Sequence, residues 1–499
     1  MQSSIPVLKN YIGGEWLESK TKEFLEIRNP ATDEILSLYP LSTLDEVDAA
    51  VAAAKKAFWG WRSMPMPKRV QLMFKLRYKL EEARNHLART ISLEHGKTFA
   101  EGLQEIERCL QYVEDACAVP ETMRGDYTED IARGVDEYYI REPLGVFVIL
   151  PPFNFPAMIS SYFVWPIACG NTVVVKPSKY CPNTMIEIAK LVEECGFPKG
   201  VVNVLNGSGS VAGNRLITHP DVAGVTFVGS SGAGQKIYEI ACAHGKRAQC
   251  QGGAKNHLVV MEDARLDEGV VRNIINSCFG HVGERCFAGS NVLVVESIYE
   301  EFKEKFLKAA QHLKVGCGLD EGVTLGPVVD REHLNQILKE IDHGIKEGAK
   351  LLLDGRNVKV EGYPNGCFLG PTVFEAEPGM RIFTEEIFGP VRCLKKVKDL
   401  KEAISIIDQN PFGHTAVIYT ETGKYAREFI RRTNVGQVGV NIGTPAPIAF
   451  YPVGGRKISG FGSTRGRAAD AVDFYTDKKV VVSQWLKPIN LGDDESFVW

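Results

Sequence analysis

Apolar residues recur at helical spacing through the first third of the chain. After Thr43-Leu-Asp-Glu46, a capping-box pattern, Val47, Ala50, Val51, Ala54, Ala57, Phe58 and Trp61 fall on one helix face. Further helical patterns run from about 68 to 94 and from about 100 to 118, the second carrying Arg108. The texture then changes. Residues 137–141 alternate as an exposed strand does, whereas 146–150, 172–175, 201–205 and 225–228 are near-continuous apolar runs suited to strands covered on both faces. Helical patterns at 183–195 and 211–218 separate them, which predicts strand–helix–strand units and a doubly wound parallel sheet. Alternation returns after 251, with strands at 291–295 and 416–419 and a helix over 297–313, so a second α/β domain is expected. The tail from Val472 to Trp485 reads as a strand able to pair near Tyr138.

Composition narrows the classes of function. At 499 residues and 44% hydrophobic, the chain can bury a large core in several domains. Its 58 basic and 62 acidic residues leave a net charge of −4, with no like-charge run to track phosphates, so nucleic acid is not expected as a partner. Twelve cysteines are scattered without a Cys-x-x-Cys or a zinc-spaced histidine. This argues against a disulfide framework or a metal site and fits a reducing, cytoplasmic setting. Residues 1–10 do not read as a secretory signal, and the apolar stretch 158–169 is too short to span a membrane and contains Pro166.

Two glycine clusters follow predicted strands: Gly207-Ser-Gly209-x-x-x-Gly213, and Gly229-Ser230-Ser-Gly232-Ala-Gly234. Either could hold a pyrophosphate at the start of a helix. Lys176-Pro177-Ser178 closes the strand 172–175, where Lys176 could reach ribose hydroxyls or simply be a solvated lysine before a proline turn. An apolar helical stripe from Val270 to Val282 stops at Gly283, and Glu284-Arg285-Cys286 follows. Cys278 lies inside the stripe and reads as a small core hydrophobe. Cys286 stands beside an arginine in a polar loop, a setting expected to favour thiolate, and is the candidate nucleophile. His95, His281 and His414 stand alone in the sequence and give no separate signal.

Seven ordered motifs resemble the aldehyde dehydrogenase superfamily: Pro151-Pro-Phe153-Asn154-Phe-Pro156, Lys176-Pro-Ser178, Phe227-Val-Gly229-Ser230, Gly252-Gly253-Ala-Lys255-Asn256, Gly283-Glu-Arg285-Cys286, Glu385-Glu386-Ile-Phe388-Gly-Pro390 and Gly454-Gly455-x-Lys457-x-Ser-Gly460. The resemblance runs from Ile12 to Trp485. It implies an aldehyde dehydrogenase-like fold of two doubly wound α/β domains plus a β-strand oligomerisation arm. The nicotinamide-nucleotide domain would be 1–124 with 146–250, the catalytic domain 251–470, and the arm 125–145 with 471–499. It also implies that Cys286 attacks an aldehyde and that the Asn154 amide and the Cys286 backbone N–H hold the oxyanion. One such donor is typically worth ~3 kcal/mol in the transition state. By the same match Lys176 and Glu386 hold ribose hydroxyls, Phe388 and Phe153 lie near the nicotinamide, Ser178 belongs to the cofactor side, and Gly229 and Ser230 face the pyrophosphate.

Hydrolytic members of the superfamily carry a glutamate just before the glycine pair, where it activates water. Here the residue is Gln251. An amide cannot take a proton at neutral pH, so a general-base contribution of ~10²- to 10⁴-fold is expected to be missing. The chain is most similar to the CoA-acylating methylmalonate-semialdehyde dehydrogenase group, which shares Gly253-Ala-Lys255-Asn256-His257 and uses two arginines for a substrate carboxylate. These match Arg285 and Arg108; the alternative for Arg108 is a surface ion pair with Glu105 or Glu107. Lys179 stands where a carboxylate would grip the adenosine ribose, so the resemblance implies NAD or NADP, with CoA as co-substrate. A homo-oligomer, dimer or tetramer, is expected. The alternatives are a hydrolytic aldehyde dehydrogenase giving a free acid, and a catalytically silent nucleotide-binding protein of the same fold.

Overall fold

The near-continuous apolar runs become central strands of two sheets in the computed structural model, which describes residues 5–463 and 466–485. In the first sheet Val202–Val204, Thr172–Val175, Val146–Leu150, Val222–Val228 and Arg247–Gln251 lie side by side and parallel. Every residue of Val146–Leu150 is buried because helices cover both faces. Antiparallel pieces extend the two edges: Asn10–Ile12 with Glu15–Leu17 on one side, Gly460–Phe461 against Cys250 and Gln251 on the other. The second sheet runs in the order Lys350–Leu353, Thr372–Glu375, Val391–Val397, Gly289–Val295, Asn256–Val260, Thr415–Tyr419 and Gln437–Val440, antiparallel only at its first pair. Each sheet has its own core, one around Phe147, Trp165 and Tyr475, the other around Leu258, Leu293 and Phe306.

The structure departs from the sequence pattern in three places. The helix expected over 68–94 is two, Met66–Glu82 and Arg84–His95, because the backbone turns at Ala83 and lets both halves pack on Phe99–Cys117. Apolar spacing continues through that turn and hides it. The pattern at 211–218 splits into a wide turn, Gly209–Gly213, and a short helix, Asn214–Thr218. Finally, residues 472–475 are not strand but the end of helix Ala468–Tyr475, whose Ala471, Val472, Phe474 and Tyr475 are buried in the first core. The strand is Thr476–Gln484. It pairs with Val135–Pro143 in the expected neighbourhood, Val481 opposite Tyr138.

Together with Tyr127–Ala132 these two strands form a separate three-stranded sheet that exposes Tyr127, Ile140, Val480, Val482 and Trp485. The part of the expected arm at 486–499 lies outside the described residues. All twelve cysteines are described and unpaired. Among the described residues no helix is long and apolar enough to cross a membrane, and no group of three His, Cys, Asp or Glu is placed to hold a metal.

Candidate active site

A cavity of about 790 Å³ opens where the first sheet's strands end and the loop carrying Cys286 crosses over them. Residues just beyond Leu150, Val228 and Cys250 line one wall, as expected at the carboxyl ends of parallel strands.

The loop reaches this cavity through a strained turn. Helix Glu268–Phe279 ends four residues before the glycine at which the apolar stripe stops. His281 and Val282 then take φ of 55° and 52°, a left-handed conformation that costs of order 1–3 kcal/mol at a non-glycine residue. Gly283 continues it at φ 75°, and a Cβ there would lie 2.2 Å from Arg392 Nη2 and 2.3 Å from the Gly389 carbonyl oxygen. Beyond the turn Asn256 anchors the loop. Its Nδ2 donates to the carbonyls of Cys286 (2.7 Å) and Ala288 (2.9 Å), and its Oδ1 accepts from Thr415 N–H (3.1 Å). Cys286 is left half-buried, facing the cavity.

Asn154 is fixed from both ends. Its Nδ2 donates to the Glu284 carbonyl at 3.0 Å, which orients the amide and leaves its second N–H for another acceptor. Its backbone carbonyl accepts from Lys97 Nζ at 2.6 Å. Lys97 and Glu105 form a fully buried ion pair at 2.8 Å, and Glu105 also accepts from the backbone N–H groups of Ala157 (2.8 Å) and Met158 (3.0 Å). Sequence reasoning missed this support. Glu105 was a possible partner of Arg108, but it turns inward, and Arg108 donates instead to Gln111 Oε1 at 2.7 Å.

The expected thiolate is not the resting form. Burial pushes the Cys286 thiol up to about 12 and Glu386 adds to this, outweighing Arg285 and Arg467, which pull it down. The adjacent cation is real, but one of its nitrogens is committed elsewhere: Arg285 Nη2 donates to the carbonyls of Asn276 (2.7 Å) and Ser277 (3.1 Å) near the helix end, while its Nε is buried without a partner. Arg285 and Arg108 both line the cavity, as does Arg467, which no sequence pattern singled out. Nor is His95 isolated. Its Nε2 lies 3.4 Å from Glu284 Oε2, with His333 at 3.4 Å from the other oxygen, and burial drives the carboxyl pKa up and the His95 pKa down.

On the opposite wall Gly229 and Ser230 line the cavity at the start of helix Ser231–Ala243, Ser230 Oγ accepting from Ala233 N–H at 3.4 Å. This second glycine cluster is therefore placed for an anion. The first cluster folds into the turn capped by Ser208 and does not line the cavity. Glu386 Oε1 accepts from Ala254 N–H at 2.7 Å, and burial raises its carboxyl to about 7. Gly253 makes that approach possible, since a Cβ there would lie 2.3 Å from Glu386 Oε2. Phe388 stands edge-on to Phe153, with ring centres 5.7 Å apart, and Ser178 lies beside them in the wall. Lys176 is buried just behind it, donating to the carbonyls of Pro177 (3.0 Å) and Gly207 (3.3 Å), and burial lowers its pKa to about 8. Lys179 is exposed, its ammonium 4.8 Å above the Tyr180 ring. An anion-binding helix start, a carboxyl able to meet hydroxyls and a pair of aromatic rings fit a dinucleotide.

Gln251 lines the cavity at its strand end, with Nε2 3.5 Å from the Val453 carbonyl. Three carboxyl groups line the same space. Glu105 is held by Lys97 and two backbone N–H groups, Glu107 is exposed on its helix, and Glu386 is the one of the three whose charge acts on Cys286.

The profile of the Aldehyde dehydrogenase family matches residues 16–481. Malonate-semialdehyde dehydrogenase 2 of Geobacillus kaustophilus is 44% identical over 487 residues, 97% of this chain and 100% of that protein. A Sinorhizobium meliloti structure complexed with NAD superposes with a TM-score of 0.96 at 38% identity, covering 98% of this chain and 100% of its own. The methylmalonate-semialdehyde dehydrogenase of Oceanimonas doudoroffii gives 0.95 at 37% identity, covering 97% and 99%.

Proposed function

The chain belongs to the aldehyde dehydrogenase family, and on that footing we propose that it oxidises a carboxylate-bearing semialdehyde, malonate or methylmalonate semialdehyde, and passes the acyl group from Cys286 to CoA. The Cys286 thiol gives its proton to solvent, the thiolate sulfur attacks the aldehyde carbon, and the carbonyl oxygen takes the negative charge. The free N–H of Asn154 and the Cys286 backbone N–H stabilise that charge, in a site whose donors are already held in place. Gly229, Ser230, Ser178 and Glu386, with Lys176 behind them, would hold a nicotinamide dinucleotide, which would supply the hydride acceptor. The carbonyl re-forms as a thioester on Cys286, with Phe153 and Phe388 shielding the reacting face.

Gln251 carries the rest of the reading. No group at that position can deprotonate water, whereas a thiol is far more ionised near neutral pH and needs less help. The CoA sulfur bonds to the acyl carbon, the bond to Cys286 breaks, and the Cys286 thiolate leaves. Arg108 and Arg285 recognise the substrate carboxylate, for which planar guanidinium groups are better suited than lysine. After loss of carbon dioxide the product is acetyl-CoA from malonate semialdehyde or propionyl-CoA from methylmalonate semialdehyde. Relatives bearing these substrate names at 37–44% identity support the choice.

Lys179 offers no negative charge against a 2′-phosphate, so the reading extends to NADP as well as NAD. The division into domains at 1–124 with 146–250 and 251–470 follows the two sheets, although Gly460–Phe461 pairs back onto the first. Unpaired cysteines suit a reducing cytoplasm. The exposed apolar residues of the three-stranded sheet suit a dimer or tetramer built through the arm.

Steady-state turnover of malonate semialdehyde, with CoA added or withheld, tests this reading. Acyl-CoA formation and a rate that depends on CoA support it; a free acid formed at a CoA-independent rate rejects it. One observation favours that second, hydrolytic outcome. Among the described residues lining the cavity, Glu386, raised to about 7, is the carboxyl whose charge acts on Cys286 and so the candidate base. If it does, Glu386→Gln abolishes release of free acid while leaving the acyl group on Cys286.

A further inference from the structure

A buried cation in the cavity wall forms no ion pair with the described residues. Arg467 is 5% exposed, and its contacts are all neutral: Nε donates to Tyr162 Oη at 3.3 Å, Nη1 donates to the Pro447 carbonyl at 3.1 Å, and the guanidinium carbon lies 4.7 Å above the Tyr112 ring. Asp115 feels the Arg467 charge, but its carboxylate accepts from Trp165 Nε1 at 2.6 Å and makes no ion pair with the guanidinium. Burying such a charge is unfavourable unless something supplies the opposite sign. Arg108 stands four residues before Tyr112 on helix Phe99–Cys117 and lines the same cavity. Arg108 and Arg467 repel each other while both act on the Tyr112 phenol. Nη2 of Arg467 takes part in neither of the hydrogen bonds above.

We propose that Arg467 is a third substrate-binding guanidinium and that it and Arg108, meeting over Tyr112, form the fork that receives the substrate carboxylate. An anion between them removes their mutual repulsion and gives Arg467 an ion-pair partner. Tyr112 and Tyr162 hold the guanidinium plane by stacking and a hydrogen bond, so the fork is oriented before substrate arrives. The inference rests on the proposal that the substrate bears a carboxylate.

The test compares kcat/KM for malonate semialdehyde with that for propanal, which has no carboxylate, in the wild-type enzyme, Arg467→Met and Arg467→Lys. The wild-type preference for the semialdehyde is expected to fall ~30-fold in Arg467→Met, chiefly through KM, with Arg467→Lys in between. A preference retained within about threefold in both variants overturns the role of Arg467 while leaving the substrate reading intact. A wild-type enzyme with no preference for the semialdehyde overturns both. If Arg467→Met does not fold, Arg467→Lys is read by alkylation of Cys286, comparing iodoacetate with iodoacetamide by peptide mass spectrometry. The iodoacetate-to-iodoacetamide rate ratio is expected to fall in the variant, and an unchanged ratio counts against the fork.

Discussion

The two sides of the cavity are built on opposite principles. Around Asn154 and Cys286 the groups nearest the reacting atoms are each held by a hydrogen bond: the Asn154 amide on the Glu284 carbonyl, its backbone on Lys97, and the loop on Asn256. Around Arg108 and Arg467 charge is left over. Arg108 has a glutamine for company, and Arg467 two tyrosines and a carbonyl. A wall whose donors are held by hydrogen bonds can keep them still while a bond forms. A wall short of negative charge selects which aldehyde enters. Chemistry and specificity are thus separated by construction, and substitutions on the two sides should fail differently.

The largest effect is expected from Cys286→Ser. Reduced-cofactor formation should fall on the order of 10⁴-fold or more, with cofactor binding measured by fluorescence titration retained. Asn154→Ala is expected to lower kcat by ~10²- to 10³-fold with little change in KM, the mark of a donor used mainly in the transition state. Its thermal midpoint should move little compared with that of Lys97→Met. The latter leaves Glu105 buried and unpaired and should cost ~3–5 kcal/mol in urea unfolding. On the other wall Arg108→Met is expected to raise KM for malonate semialdehyde about tenfold and to leave kcat nearly alone, because a ground-state anchor has been removed.

The most diagnostic effect concerns pH. Because the Cys286 thiol is raised to about 12, its reactive thiolate is scarce at neutrality and grows with pH. Alkylation of Cys286 by iodoacetamide in the cofactor-free protein should therefore accelerate roughly tenfold per pH unit from 7 to 10 without levelling. A plateau near pH 8 would mean that the two arginines win over burial and that the cation-rich wall also serves the nucleophile.

Much of this was legible in the residues. The buried strands announced themselves as apolar runs, and the motifs around Asn154, Cys286 and Glu386 carried the family resemblance. What stayed hidden has physical reasons. The turn at Ala83 leaves the apolar period unbroken, so two helices read as one. The segment 472–475 is apolar enough for either a strand or a helix end, and packing against Phe147 decides it; Tyr475 meets that ring edge-on at 4.8 Å. Lys97 and Glu105 are eight residues apart and read as ordinary surface charges until the fold turns both inward. Arg467 follows Arg465 and Gly466 in a glycine-bearing stretch that matches no motif, and only the cavity reveals what it faces. The thiol of Cys286 misled for a related reason: sequence shows the neighbouring cation but not the carbonyls that already occupy it, nor the depth of burial.

The acyl group on Cys286 is the most direct witness to the central claim. Enzyme mixed once with malonate semialdehyde and oxidised cofactor, CoA withheld, should carry a Cys286 thioester in intact-protein mass spectra. That adduct should outlast many turnover times and vanish, with acyl-CoA appearing, as soon as CoA is added. An adduct cleared by water as fast as steady-state turnover, CoA making no difference, would contradict the account.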